Sequence, residues 1–487
     1  MTATFDPRNV PLPKGHWING RYLTGVPLIE LLRPSDAFAY AASPVADDEV
    51  VDLAVTSAAA ALQRSGWTTC RPTERANILK RWASLIETNA QRLGQLESIA
   101  STRPIAESVS IDAAVTAEQI RFFAEFADKE GGDVVPTDSD HLGMILSEPY
   151  GVVGAITPWN VPLSMAGWKI GPALAAGNAI VLKPSEHTPF STLFLAELGT
   201  EAGIPAGIIN IVLGDGLTTG AHLVAHPGIA KISFTGSTVA GGAILRNIAG
   251  AQIKPVTLEL GGKSPQVVFA SADIEVAAHC VARGILLNAG QTCVAGSRVI
   301  VAKTAEDAFM AALKREMSKH QPGLTWDSAT NYSPIISERQ INRIHGIVEA
   351  AVAHGAECVL GGKRLDRTGY FFEPTILAGV AADSPALTEE IFGPVVTVQT
   401  FSDENEAYAL SRHSTYGLAA GVYTQDLSQA MRAVKQIEAG TVWVNRYGRS
   451  RDHILPTGGY KASGIGKDLG KEAFRSNRRQ KSVLIKI

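Results

Sequence analysis

Two hydrophobic rhythms alternate along this chain. Short strand-like segments (the apolar run Ala179–Lys183, then 208–213, Lys231–Thr235 and 256–260) are separated by amphipathic stretches of helical spacing. A run apolar at every position is the pattern of a strand buried on both faces. The helical stretches carry punctuation: residues 190–202 end at Gly203, Gly214-Asp215-Gly216 precedes a helix from Thr218, and Gly236-Ser237 opens another. Strand and helix in alternation predict right-handed parallel crossovers, hence an open α/β sheet. A second series follows, with strands expected at 267–269, 298–301, Val395–Phe401, 420–423 and 441–445. Ahead of both, residues 17–23 read as an edge strand. Residues 45–62, 74–96 and 111–127 read as helices, the first opened by Asp47-Asp48-Glu49. Residues 144–156 are strand-like with a bend at Pro149-Tyr150-Gly151. The tail KSVLIKI (481–487) reads as a lone strand that needs a sheet, either the Met144 region or another subunit.

Composition narrows the class. A chain of 487 residues exceeds one small core, so two or more packed units are expected. With 45% hydrophobic residues and a net charge of -3 the chain is globular and has no electrostatic footprint for nucleic acid. The basic run 475–481 is short and reads as a solvated or interface face. The stretch MTATFDPRNVPLPKGHWING lacks a signal-peptide apolar core, and no segment has the roughly 18 unbroken apolar residues of a membrane span. A soluble, cytoplasmic protein is expected. The cysteines Cys70, Cys280, Cys293 and Cys358 show no CxxC pairing, which argues against a disulfide framework and a thiolate metal site. Each is most simply a small buried apolar residue; only Cys293 has neighbours that suggest more.

Those neighbours are Asn288-Ala289-Gly290-Gln291-Thr292, a Gly-containing turn, with Leu258-Glu259-Leu260-Gly261-Gly262-Lys263 upstream. A thiol that captures a carbonyl and a carboxylate that activates water are the parts of thioester chemistry. Asn160, after Pro158-Trp159, offers a neutral N–H donor for an oxyanion, although an Asn in a Pro-bounded loop also serves as a plain turn residue. The glycines around Gly216 do not spell GxGxxG and admit a tight turn with no ligand. Two successive small-residue turns that open helices, at Gly216 and Gly236-Ser237, suit a pyrophosphate. Lys183 and Glu186 at a strand end suit ribose hydroxyls. A glutamate there repels a 2′-phosphate, favouring NAD over NADP, with NADP still admissible.

Together, Ile156-Thr157-Pro158-Trp159-Asn160, Lys183-Pro184-Ser185-Glu186, Phe234-Thr235-Gly236-Ser237, the Leu258 to Lys263 run, Gly290-Gln291-Thr292-Cys293, Glu389-Glu390-Ile391-Phe392-Gly393-Pro394 and 456–466 resemble the ordered motifs of the NAD(P)-dependent aldehyde dehydrogenase superfamily. The resemblance spans essentially the whole chain. It implies a Rossmann-like parallel-sheet cofactor domain (1–130 and 150–258), an α/β catalytic domain (259–473) and a small β oligomerisation element (131–149 and 474–487). It implies a homodimer or homotetramer acting on a small-molecule aldehyde. Cys293 would be the nucleophile, Asn160 with the Cys293 N–H the oxyanion donors, and Glu259 the base for water. That base is absent from acylating relatives, so the hydrolytic branch is implied. Lys183 and Glu186 would bind the adenosine ribose, Gly236 and Ser237 the pyrophosphate, and Glu390 the nicotinamide ribose beside Phe392. Ile156, Thr157, Pro158, Trp159, Ser185, Gly216, Phe234, Leu260 and Gly261 would complete the cofactor site. A non-catalytic structural relative should have lost Cys293 or Glu259. A thiol esterase would leave the nucleotide motifs idle, so it is at most a side activity.

The chain departs from the pattern where substrate is expected. Val161 and Thr457 stand where phenylalanine is frequent, Ser164 replaces a larger apolar residue, and Trp168 keeps an aromatic wall. The loop 446–453 carries Arg446, Arg449 and Arg451. A wider, more polar tunnel is expected, in which one arginine meets a substrate anion, unless all three are surface or subunit contacts. Ser101-Thr102-Arg103-Pro104 also departs from the family pattern, with no role evident from sequence.

Overall fold

The computed structural model describes residues 4–487, which build two large sheets and three small ones. The first large sheet has eight strands in the order 21–23, 16–18, 209–211, 179–183, 152–156, 231–235, 256–259 and 464–465. Its central strands run parallel. Apart from Val256 every residue in them is buried. Burial on both faces is why Val152–Ile156 and 179–182 are apolar at every position, while the polar residues of the other central strands, among them Lys231, Ser233 and Thr257, are buried as well. From Val152–Ile156 the chain steps to 179–183 and 209–211 on one side, then returns to the other side for 231–235 and 256–259. That reversal opens a crevice at the C-terminal ends of 152–156 and 231–235, where open α/β sheets receive ligands.

The second large sheet has seven strands, ordered 357–360, 375–378, 395–401, 298–302, 265–268, 419–423 and 441–444. All pair in parallel except 357–360. Each sheet has its own buried apolar cluster. Residues 260–264 pass directly from the C-terminal end of Val256–Glu259 to the N-terminal end of Pro265–Val268, so the chain crosses from the first sheet to the second immediately after Glu259. Helix Pro162–Ala175 is buried at all 14 positions, with Pro162 in its first turn, where a missing N–H costs nothing.

The tail finds its partner within the chain. Arg478–Lys486 pairs antiparallel with His141–Pro149, Val483 opposite Met144, and Asp133–Val135 adds a third strand. Other expectations need correction. Residues 17–23 are two strands, His16–Ile18 and Arg21–Leu23, folded into a hairpin at Asn19 and Gly20 with φ of 52° and 72°; that Asn-Gly turn was the signal. Residues 74–96 split at Asn89 into Pro72–Thr88 and Ala90–Ala100. The helix at 111–127 is entered through a π-helical turn at Ser108–Ala113. The hairpin of Pro27–Leu32 and Ala39–Pro44 was not foreseen. Gly464–Ile465 pairs with Leu258 and Glu259, returning a strand from late in the chain to the first sheet. No described helix is long and apolar enough to cross a membrane, and no described cluster of His, Cys, Asp and Glu is arranged to hold a metal ion.

Candidate active site

Strand ends of the first sheet bring distant motifs to one edge. Ile156 leads into Thr157, Pro158, Trp159 and Asn160, and the Thr157 N–H donates to Lys183 O at 3.1 Å. Lys183 is buried, and its ammonium donates to Pro184 O at 2.8 Å and Gly214 O at 2.7 Å, with Glu186 at 3.7 Å. Ser185 lies beside Glu186, Oγ to Oε2 3.5 Å. Gly216 starts an exposed helical turn capped by Asp215. Phe234 lies in the buried strand Lys231–Thr235. Beyond it the Gly236 N–H donates to Glu259 O at 3.0 Å, and Ser237 Oγ caps helix Thr238–Ala251 by accepting from the Ala240 N–H at 3.2 Å.

The cysteine loop is built from left-handed backbone. Asn288, Ala289 and Gly290 have φ of 52°, 50° and 75° in succession. Such a conformation in non-glycine residues persists only where the surroundings hold it. Gly290 has a further reason to be glycine, because a Cβ there would stand 2.0 Å from Gly393 O. Buried polar side chains lock the turn. Asn288 Nδ2 donates to Asn160 O at 2.9 Å, and Asn288 Oδ1 accepts from Thr102 Oγ at 2.6 Å. Gln291 Nε2 donates to Pro334 O at 2.9 Å, while its Oε1 accepts from the Ile336 N–H at 2.9 Å. Asn160 Nδ2 donates to Gln291 O at 2.9 Å, which fixes the amide and leaves its second N–H free. Cys293 follows, partly exposed, with its thiol pushed up to about 11 by burial, against which the Arg449 charge pulls it down.

Glu259 is 4% exposed, and its Oε1 has no hydrogen-bond partner among the described residues. Burial, reinforced by Asp468, pushes its carboxyl up to about 8, against the pull of Lys169, Arg449 and Lys467. Lys169 and Asp468 form a buried ion pair at 2.5 Å. The neighbouring Leu260 is buried, and its N–H donates to Ser463 O at 3.0 Å. At Gly261 a Cβ would come 2.4 Å from Glu390 Oε2, and the Gly262 N–H donates to Glu390 Oε1 at 3.0 Å. Phe392, with φ 55°, sets its ring edge-on to Trp159, centroids 5.3 Å apart.

The expected tunnel residues divide. Ser164 and Trp168 are buried on helix Pro162–Ala175, with Val161 at its N-cap. In the orientation its neighbours require, the Gln119 amide oxygen accepts from Ser164 Oγ at 3.2 Å and from the Trp168 indole N–H. Arg449 lies over the Trp168 ring, 4.4 Å from its centroid, and donates to Thr457 Oγ at 2.6 Å. Arg451 lies outside, paired with Glu118, and exposed Arg446 reaches only Gly448 O at 3.2 Å. Sequence reasoning missed Thr102, Asn288, Lys169 and Asp468. A lysine inside an otherwise apolar helix was a signal for Lys169. Nothing in one sequence links Thr102 to Asn288.

The Aldehyde dehydrogenase family profile matches residues 24–483. An aldehyde dehydrogenase of Alternaria alternata is 40% identical over 477 residues, covering 98% of this chain and 96% of its own. The structure of an indole-3-acetaldehyde dehydrogenase complexed with NAD+ superposes with a TM-score of 0.96 at 38% identity, covering 99% of this chain and 98% of that one. The NAD+ complex of a Bacillus cereus aldehyde dehydrogenase gives 0.96 at 38% identity, with both chains fully covered. A match of this extent, over a fold and a cysteine loop of this form, leaves one assignment: the chain belongs to the aldehyde dehydrogenase family.

Proposed function

We propose that this protein oxidises an aldehyde to the carboxylic acid with NAD+, through a thiohemiacetal and then a thioester on Cys293, and that Glu259 activates the water releasing the acid. The observation carrying this reading is the locked loop that joins Cys293 to Asn160, together with a buried glutamate whose raised pKa suits a base near neutral pH.

The residues present fit a dinucleotide. Thr157 and Thr235, at the ends of adjacent strands in the crevice, carry buried hydroxyls without partners among the described residues. The Ser237-capped helix offers its first N–H groups to a pyrophosphate. Lys183 and Glu186 form a ribose-binding pair, and Glu390 beside Gly261 and Gly262 forms a second. NAD+, when bound, supplies the hydride acceptor.

The rest of the chemistry belongs to the chain. Cys293 sulfur bonds to the aldehyde carbon as the thiol proton passes to solvent water and the carbonyl π pair moves to oxygen. The free Asn160 N–H and the Cys293 N–H, which has no protein acceptor among the described residues, then hold the oxyanion. After oxidation Glu259 takes a proton from water. The water oxygen bonds to the thioester carbon, the C–S bond breaks, and the thiol is restored. The domain boundaries given above belong to this reading, as does the dimer or tetramer. For the latter the support is the unpaired edge strand Arg478–Lys486 with exposed Leu484 and Ile485. A monomer mass by light scattering would remove it.

The direct test is to follow NADH absorbance with a panel of aldehydes. NAD+ is expected to give the higher kcat/KM, because Glu186 opposes a 2′-phosphate. No reduced cofactor from any aldehyde with either nucleotide would refute the reading.

Thr102 enters as a positioning residue. Thr102→Val strips a buried carbonyl oxygen of its donor, a loss of about 1–3 kcal/mol. Part of it should appear as roughly tenfold lower kcat, as Asn288 loosens its hold on Asn160, with KM for NAD+ little changed. Thr102→Ser should restore the rate. An unchanged kcat in the valine variant would show that Asn288 holds Asn160 unaided.

A further inference from the structure

We infer that Arg449 is a specificity-determining residue that binds a carboxylate on the substrate, so that the preferred substrates are carboxylated aldehydes. The inference rests on the reaction proposed above and names the substrate class of that same site.

The loop of Arg449 is tied to the surroundings of both reacting groups. Two residues before it, Tyr447 donates its hydroxyl to Val294 O at 2.6 Å, tying the loop to the residue after Cys293. On its other side Arg449 bonds Thr457, and the next residue, Gly458, abuts the base: a Cβ there would stand 2.9 Å from Glu259 Oε1. The guanidinium charge is accordingly felt at both groups, drawing the Cys293 thiol and the Glu259 carboxyl down.

Arg449 is also pre-set and unneutralised. Its guanidinium rests on the Trp168 ring, which Gln119 fixes, and Thr457 takes one of its donors. No carboxylate lies within 4.0 Å of it among the described residues, whereas Arg451 in the same loop has Glu118. A partly buried arginine fork with free donors matches the two oxygens of a carboxylate. Holding the fork on an aromatic face lowers the ordering cost of binding.

The test compares kcat/KM for 4-oxobutanoate against butanal, and for 4-formylbenzoate against its methyl ester. Wild type is expected to favour the carboxylate in at least one pair by tenfold or more. Arg449→Ala should cut that preference at least tenfold, mainly through KM, and Arg449→Lys should keep part of it, since the charge remains without the planar fork. Arg451→Ala should keep the wild-type preference. A wild type that favours the neutral member of both pairs overturns the inference. So does an Arg449→Ala or Arg449→Lys enzyme with the full wild-type preference, or an Arg451→Ala enzyme that loses as much as Arg449→Ala. Failure of wild type to reduce NAD+ with any aldehyde would instead overturn the underlying reaction.

Discussion

Cys293→Ala is expected to abolish NADH formation from every aldehyde while leaving NAD+ binding and folding intact. Without sulfur no carbon–sulfur bond forms, and the carbonyl stays trigonal, a poor hydride donor. Removing a covalent nucleophile costs on the order of 10⁴-fold or more in kcat, because the remaining groups act only in concert with it. The scaffold should tolerate the change. The loop is held by Asn288, Gln291 and Gly290, none of which uses the Cys293 side chain. Thermal unfolding within a degree or two of wild type, with NAD+ still bound, would separate loss of chemistry from loss of structure. The other cysteines offer no substitute. Cys70 lies beside Arg75, Cys358 is exposed on a sheet edge, and Cys280 sits on helix Ile274–Leu286. Retention of more than a few percent of the wild-type rate would move the nucleophile elsewhere.

Glu259→Gln should have the next largest effect and a different signature. The amide has nearly the shape of the protonated carboxyl that prevails at neutral pH, given a carboxyl pushed up to about 8. Addition and hydride loss can then proceed once, producing a burst of about one NADH per active site. Hydrolysis then falls by about 10²–10⁴-fold, the range of a lost general base. The pH dependence has a fixed sign. The base works as carboxylate, so where hydrolysis limits turnover the wild-type kcat rises with pH up to about 8 and levels above it. The glutamine variant loses that limb. A variant that keeps the rise would assign the base to another group.

The sequence carried the fold where burial is two-sided. The segments 179–183 and 231–235 are strands with those very limits, because a central parallel strand is buried on both faces and its few polar side chains lie at strand ends or beside neighbouring strands. It was less legible where short-range geometry decided the outcome, as at the Asn19-Gly20 turn, the break at Asn89 and the π-turn at Ser108–Ala113. The motifs located the cysteine and the glutamate, but not what holds them. Thr102 reaches Asn288 across 186 positions of sequence, and Asp468 reaches Lys169 across 299, pairings that only the folded chain makes. The arginine loop shows the same limit. Three arginines in one short segment looked equivalent. Packing separates Arg449, on Trp168 and Thr457, from Arg451, on Glu118, and from the exposed Arg446.

The central claim is a thioester on Cys293 that Glu259 resolves. The most direct measurement is the mass of intact Glu259→Gln protein, and of its Cys293-containing peptide, quenched in acid after mixing with NAD+ and a turned-over aldehyde. An acyl adduct two hydrogens lighter than the added aldehyde plus thiol, on Cys293 and equal in amount to the NADH burst, is the predicted result. NADH formed in the same amount with Cys293 unmodified would contradict it.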